Sequence, residues 1–293
     1  TAAEVLYDDI LNLPLALAEH RQLTGVLRQV AEVVELHELL AGVLERERVR
    51  RGLIEELTRL FDCPEVYTQL AEMAPEELAR QLVQGTPKRP DSLEKYLHPS
   101  RYAIPPLPNT FFTRDATMCL NDRVIIGSMA YRARAAEALL LKAVFKHHPR
   151  VQSSGFYYDG TANPDSEVTI EGGDLLVVRE DLAVIGYSER TSVAGIDRLM
   201  RSIASQGPVT DFIVVEIPKT RATIHLDMIF TMVDQDKCVV FPPLITGNQS
   251  CRAFHCRFGT GQGARIEEFP DVLSALRDQG VELEPIACGG PDS

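Results

Sequence analysis

Apolar residues first recur at helical spacing. Ile10, Leu13, Leu17, Leu23, Val26, Leu27 and Val30 line one face of a helix expected over residues 10 to 31. Val33-Val34-Glu35-Leu36 reads as a short buried strand. Residues 37 to 83 are then helical almost throughout, with Leu39, Leu40, Val43 and Leu44 in one run and Leu53, Ile54, Leu57 and Leu60 in the next. Cys63-Pro64 breaks this stretch, Pro75-Glu76-Glu77 has the form of a first helical turn, and a short helix is expected near Ser92 to Leu97. Beyond residue 99 the pattern changes to strands alternating with single helices, the latter at about 132 to 146, 193 to 206 and 265 to 279. Strands are expected at Asp211 to Ile217 and Val281 to Ile286.

This strand-rich stretch repeats a single pattern three times, a polar motif followed by an apolar hairpin. Phe112-Thr113-Arg114-Asp115 precedes Val124-Ile125-Ile126-Gly127. Glu171-Gly172-Gly173-Asp174 precedes Leu175 to Val178 and Leu182 to Gly186. His225-Leu226-Asp227 precedes Met228 to Thr231 and Cys238 to Phe241. The motifs are 56 and 54 residues apart, counted from Asp115 to Glu171 to His225. A near-constant period of hairpin, helix and strand predicts one supersecondary unit used repeatedly. Packed in a ring, such units make an α/β propeller with a central cleft; the alternative is an open α/β sheet with chance spacing.

Composition narrows the class. The chain has 293 residues, 45% hydrophobic and 25% charged, which is ordinary for a globular protein. A net charge of −12 argues against general nucleic-acid binding and is compatible with a cationic small substrate. No apolar run reaches membrane-spanning length and no signal peptide opens the chain, so no membrane partner is expected. The six cysteines, Cys63, Cys119, Cys238, Cys251, Cys256 and Cys288, lack small-scaffold spacing and fit reduced thiols of a cytoplasmic enzyme. Cys251, His255 and Cys256 are close in sequence but fall short of a zinc-ligand set.

The polar positions that open the repeats define the candidate chemistry. His225 and Asp227 are two apart, so on a strand they would share a face while Leu226 points into the core. A histidine beside a carboxylate is an acid/base pair of tunable pKa. With Asp115 and Glu171 added, the pocket is strongly anionic and suits a planar cation rich in N–H donors, such as a guanidinium. Gly172 and Gly173 allow close backbone approach beside Glu171. Taken singly, Asp115 beside Arg114 could be a salt bridge and Glu171-Gly-Gly-Asp174 a hairpin turn. His20, His37 and His98 have no partner pattern, and His147-His148 reads as a helix end.

Four segments, Pro108 to Asp115, Ile170 to Asp174, Ser188-Glu189-Arg190-Thr191 and His225 to Thr231, resemble arginine deiminases in their order and residues. The opening Leu6-Tyr7-Asp8-Asp9-Ile10 resembles a stretch near that family's start. The resemblance implies a pseudo-five-fold α/β propeller over 1–36 and 99–293, with a small helical insertion domain at 37–98. It implies hydrolysis of L-arginine to L-citrulline and ammonia through a cysteine-linked thiouronium intermediate, with no cofactor and no metal. Carried over by motif, His225 and Glu171 handle protons, and Asp115 and Asp227 hold the guanidinium. Arg134 and Arg190 take the substrate carboxylate, Asn109 and Phe112 line the site, and Asp174, Gly172 and Gly173 support it.

The expected nucleophile, a cysteine in a glycine-rich loop, has no match. Cys288-Gly289-Gly290 is read as preceding a further unit rather than as the nucleophile. The first residue, Thr1, and the loop-like ending Gly289 to Ser293 read as cuts through a longer protein, with a C-terminal unit missing from the propeller. The chain by itself is therefore expected to have little or no hydrolase activity and, as an incomplete ring, to form a homo-oligomer. The alternatives are a non-catalytic arginine-binding relative, or a hydrolase of another guanidine such as a methylated arginine.

Overall fold

A computed structural model describes residues 11–88, 92–97, 101–162, 165, 167–259 and 263–289. The Leu6–Ile10 stretch, Pro90, His98 and the last residues from 290 lie outside them. In chain order the elements are α1 (Leu13–Leu27), α2 (Leu36–Leu44), α3 (Glu47–Phe61), α4 (Tyr67–Ala71), α5 (Pro75–Gln84), β1 (Thr86–Pro87), α6 (Leu93–Leu97) and β2 (Tyr102–Ile104). They continue with α7 (Thr113–Ala116), β3 (Thr117–Leu120), β4 (Arg123–Ile126), α8 (Ala135–His147), β5 (Phe156–Asp159), β6 (Leu175–Arg179), β7 (Leu182–Tyr187), α9 (Val193–Ala204) and β8 (Asp211–Glu216). The last are β9 (Phe230–Met232), β10 (Lys237–Val240), α10 (Pro242–Ile245), β11 (Ala253–Phe258), β12 (Ala264–Phe269), α11 (Val272–Asp278) and β13 (Glu284–Ala287).

These elements form two compact units: Thr1–Phe111 with Arg132–Gln152, and Phe112–Tyr131 with Ser153–Ser293. The first is mainly helical. Leu40, Val43 and Leu44 of α2, Ile54 and Leu57 of α3, Leu78 and Leu82 of α5, and Leu140 and Val144 of α8 make one core. Asp62, in the left-handed conformation at φ 54°, stops α3 before Cys63-Pro64, and α5 starts at Pro75 with Glu76 and Glu77 in its first turn. No strand forms at residues 33 to 36. Leu36 opens α2 with Glu35 as its extended N-cap, because the run of leucines that follows has helical rather than alternating spacing.

The second unit is built from three hairpins, each joined by a parallel third strand. β3 pairs antiparallel with β4, and β5 lies parallel to β4. β6, β7 and β8 repeat the arrangement, as do β9, β10 and β13. The β11–β12 hairpin extends the second set to five strands, in the order β12-β11-β8-β7-β6. Helix α9 buries Ile196, Leu199, Met200 and Ile203 in a core with Leu120, Ile125, Ile185 and Phe212. Helix α11 buries Val272, Ala275 and Leu276 with Ile213, Val240 and Leu226. The chain is thus a mixed α/β protein. Residues 264 to 269 correct the helix expected from 265. They form β12 against β11, and the helix begins only after Pro270, where the Asp271 carboxylate accepts from the Ser274 N–H at 2.8 Å. All six cysteines are unpaired, and no helix among the described residues is long and apolar enough to cross a membrane.

Candidate active site

The β3–β4, β6–β7 and β9–β10 hairpins are each entered through a tight helical turn, and these three turns carry the polar motifs. Asp115 lies in α7 just before β3. Glu171 caps and Asp174 ends the 3₁₀ turn Gly172–Asp174 before β6, and His225 caps the 3₁₀ turn Leu226–Met228 before β9. The Gly172–Asp174 turn packs against both of the others. His225 and Asp227 therefore do not sit on a strand as expected. The backbone coils at Leu226, whose side chain is fully buried while its N–H donates to Asp174 Oδ1 at 2.9 Å.

The side chains converge on His225. Its Nε2 lies 3.1 Å from Glu171 Oε2, and its Nδ1 lies 3.9 Å from Asp115 Oδ1. This hydrogen bond raises the imidazole, which fits Nε2 as its donor. Glu171 is wholly buried. Its Oε1 accepts from the Ala130 N–H at 3.0 Å, and its Oε2 is 3.8 Å from Arg190 Nη1. A bridge between Ser128 and Ile170 holds the two backbone segments in place for the Ala130 contact.

Asp174 is the keystone beneath. Ser188 Oγ donates to its Oδ2 at 2.6 Å and accepts in turn from the N–H groups of Arg190 and Thr191 at 3.0 and 3.1 Å. Thr191 Oγ1 accepts from the Glu171 N–H at 3.1 Å, which ties the Ser188–Thr191 loop to the base of the site. The Arg190 guanidinium stacks over Tyr131, 4.4 Å from the ring centre, and its buried Nε lacks a hydrogen-bond acceptor.

The glycines have a steric cause. A Cβ on Gly172 would fall 1.9 Å from the Arg114 carbonyl oxygen, and one on Gly173 would fall 2.5 Å from His225 Nδ1. Arg114 is engaged elsewhere than at Asp115: it donates to the carbonyls of Gly172 and Leu175 at 3.1 and 2.6 Å.

These surroundings set the protonation. Burial alone would lower the His225 imidazole. The Glu171 hydrogen bond and the charges of Asp174, Asp115 and Glu171 outweigh it, so the imidazolium is favoured. Burial pushes Asp174 up to about 7 against the pull of His225, Ser188, Thr191 and the Leu226 N–H. Asp227 is half-buried, and desolvation raises it too, opposed by His225. The result is an imidazole biased toward its charged form among carboxyl groups of which two are biased toward their neutral form. The donor atoms of Asp115, Glu171 and His225 lie within 4.8 Å of one another, a spacing able to hold a cation, metallic or organic.

Asn109 and Arg134 belong to the first unit and form a buried network there. Arg134 donates through Nε and Nη2 to Glu137 Oε2 at 3.0 and 2.8 Å, and through Nη2 to the Asn109 carbonyl at 3.3 Å. The Asn109 N–H donates to Glu137 Oε1 at 3.1 Å. Phe112 caps α7 with its side chain half exposed. Cys288 is exposed just after β13. Cys119 faces solvent rather than the core, while burial pushes Cys63, Cys238, Cys251 and Cys256 up to about 11. His255 pairs with Asp211 at 2.7 Å, an internal contact of the β8–β11 pair.

Ser188 and Thr191 had no individual role from sequence, though their segment stood out. Tyr131, Glu137 and the Ala130 N–H gave no signal, since an aromatic, a helical glutamate and a backbone amide are common everywhere.

A family model described as arginine deiminase matches residues 3–292. The chain belongs to the arginine deiminase family. An arginine deiminase of Bacillus cereus (strain ATCC 10987 / NRS 248) is 30% identical, covering 99% of this chain and 74% of that protein. Another from Staphylococcus aureus (strain JH9) is 32% identical, covering 85% of this chain and 64% of its own length. Among solved structures, the N-terminal domain of a cyanobacterial arginine dihydrolase, bound to substrate, matches at a TM-score of 0.38 and 21% identity, over 47% of this chain and 46% of that one. A dimethylarginine dimethylaminohydrolase matches at a TM-score of 0.39 and 16% identity, over 63% and 58%.

Proposed function

We propose that this chain binds L-arginine at the Asp115–Glu171–His225 cluster and serves its hydrolysis to L-citrulline and ammonia. The observation that carries this reading is the imidazole of His225 held between two buried carboxylates, with Asp227 alongside, in a member of the arginine deiminase family. In this reading Asp115 and Asp227 accept from the guanidinium N–H groups. Arg190, whose buried Nε has no hydrogen-bond acceptor and lies 3.9 Å from Glu189 Oε1, takes the substrate carboxylate, and Phe112 lines the pocket.

A thiolate adds to the guanidinium carbon. The C–N bond of the tetrahedral adduct breaks as the His225 imidazolium gives its proton to the departing amine, leaving an amidino thioether (the thiouronium) and ammonia. The now neutral His225 takes a proton from water as the water adds to that carbon. Collapse expels the thiolate, the adduct's hydroxyl proton passes to solvent, and the ureido group of citrulline is left. Glu171 keeps Nε2 protonated and the ring in place throughout. No cofactor or metal enters these steps.

Five of the six thiols are raised by burial and so ill suited to attack, which supports a nucleophile other than these residues, outside the present chain. The same observation favours the second reading, a chain that binds arginine without turning it over. Residues 37–98 form the helical insertion in this proposal, and the hairpin units of 1–36 and 99–293 belong to a pseudo-five-fold propeller of a cytoplasmic homo-oligomer. Calorimetry with L-arginine and a citrulline assay on this chain test both readings. Binding without robust turnover is expected. Failure of the folded chain to bind arginine at millimolar concentration would sink the arginine assignment, and robust turnover would sink the external nucleophile.

A further inference from the structure

The first unit has a cavity of about 530 Å³ between α3 and α8. Arg46 and Arg48 line it from the start of α3, and Lys142, Lys146 and His147 from α8. Glu56 is the one carboxylate in the lining, 3.9 Å from Lys142. Arg46, Arg48 and Lys146 have no ion-pair partner among the described residues, and Glu47 is taken by Arg51 at 2.6 Å. The cations crowd one another: burial, then Lys146, Arg46 and Arg48, lowers His147.

Helix electrostatics accounts for only half of this arrangement. Lys146 and His147 end α8, where a cation is favourable. Arg46 is the N-cap of α3 and Arg48 lies in its first turn, where a cation is unfavourable and the free backbone N–H groups attract an anion. Arg46, Arg48 and Lys146 thus leave three permanent cations at this cavity that no ion pair among the described residues neutralises.

The cavity floor is apolar, formed by Leu53, Leu139 and Ala143. Gly52 lies on it in mid-helix, and a Cβ there would meet no atom within 4 Å. Glycine costs helix stability relative to alanine, and packing does not require it here. Its effect is to leave the floor open.

We infer that this groove binds a phosphorylated small molecule with a flat apolar portion, of the size and chemistry of a nucleoside phosphate. The arginines fork onto the phosphate and the apolar moiety lies on the floor beside Gly52. The volume lies within the range of small-molecule sites, roughly 300–1,000 Å³.

Calorimetry of the whole chain with AMP, adenosine, inorganic phosphate and sulfate at constant ionic strength tests this inference. AMP is expected to bind at least tenfold more tightly than phosphate or sulfate, and adenosine not measurably. The Arg46→Gln/Arg48→Gln variant should weaken AMP at least tenfold without lowering Tm, since both side chains are exposed. Gly52→Leu, which fills the floor, should weaken AMP and spare phosphate. Equal affinity for AMP, phosphate and sulfate, or undiminished AMP binding by the double arginine variant, would overturn the inference.

Discussion

Replacing Glu171 by glutamine keeps the shape of the site and removes one buried charge. The carbonyl of the new amide can keep the Ala130 N–H contact, observed at 3.0 Å, which turns its NH2 toward His225 Nε2. Two donors cannot face each other, so Nε2 must become an acceptor and the remaining ring proton moves to Nδ1, on the side of Asp115 at 3.9 Å. The lost contact joins ionised groups in a buried site, where such hydrogen bonds contribute about 1.5–3 kcal/mol. That corresponds to a roughly ten- to hundredfold drop in the proton affinity of the imidazole. Asp115 and Asp174 still favour the charged ring, so the fall is partial.

The sign for stability follows from the raised native value. The native imidazole holds its proton to higher pH than the unfolded one, so the His225 contribution is fully present below the unfolded pKa near 6.5. It is lost as pH rises through the native pKa. Glu171→Gln should flatten that slope. Nitrogen-detected NMR of the His225 ring reads both tautomer and titration. An Nε2–H ring that titrates as in the parent would refute the assignment of Glu171 as its controlling partner.

Three further outcomes follow from the same geometry. Gly173→Ala places a methyl 2.5 Å from His225 Nδ1, so it should lower stability by about 1–3 kcal/mol in denaturant titration and weaken arginine binding more than a surface Gly→Ala control. Asp174→Asn should remove a pH slope of the opposite origin. A carboxyl raised from 3.8 to about 7 makes the folded state hold a proton that the unfolded state releases, so stability falls across that window by at most about 4 kcal/mol. Thermal melts between pH 4 and 7 should show the variant less pH-dependent than its parent. Leu226→Ala, at a fully buried position, should cost about 2–5 kcal/mol and shift the urea midpoint accordingly; a cost under about 1 kcal/mol would mean the 3₁₀ turn is not packed as described.

The hairpins were legible because β-branched and leucine runs interrupted at fixed intervals admit few other folds. The spacing of Asp115, Glu171 and His225 marked the same phase in each unit. The sequence misread the local conformation at that phase. Alternation of His225, Leu226 and Asp227 satisfies a strand rule, yet the backbone coils into a 3₁₀ turn because Asp174 captures the Leu226 N–H from 52 residues away. Residues 264 to 269 failed for a related reason: β12 is an edge strand with charges on its open side, so its pattern blends into the helix after Pro270.

The same distinction explains why the polar cluster was legible before the groups that support it. A carboxylate or imidazole that opens a repeat is visible as an exception in an apolar context. The groups that fix its proton are not exceptions of any kind. Glu171 is held because the Ala130 amide donates to its carboxylate and the Thr191 hydroxyl accepts from its backbone N–H, and Asp174 stays in place only because the Ser188 hydroxyl, saturated by two backbone amides, has its proton left to give. Substituting Ser188 by alanine would therefore remove a donor from Asp174 and an acceptor from two amides at once. If the site is organised from beneath as described, that loss should raise Asp174 further and loosen Arg190 while leaving AMP binding at the α3–α8 groove unchanged.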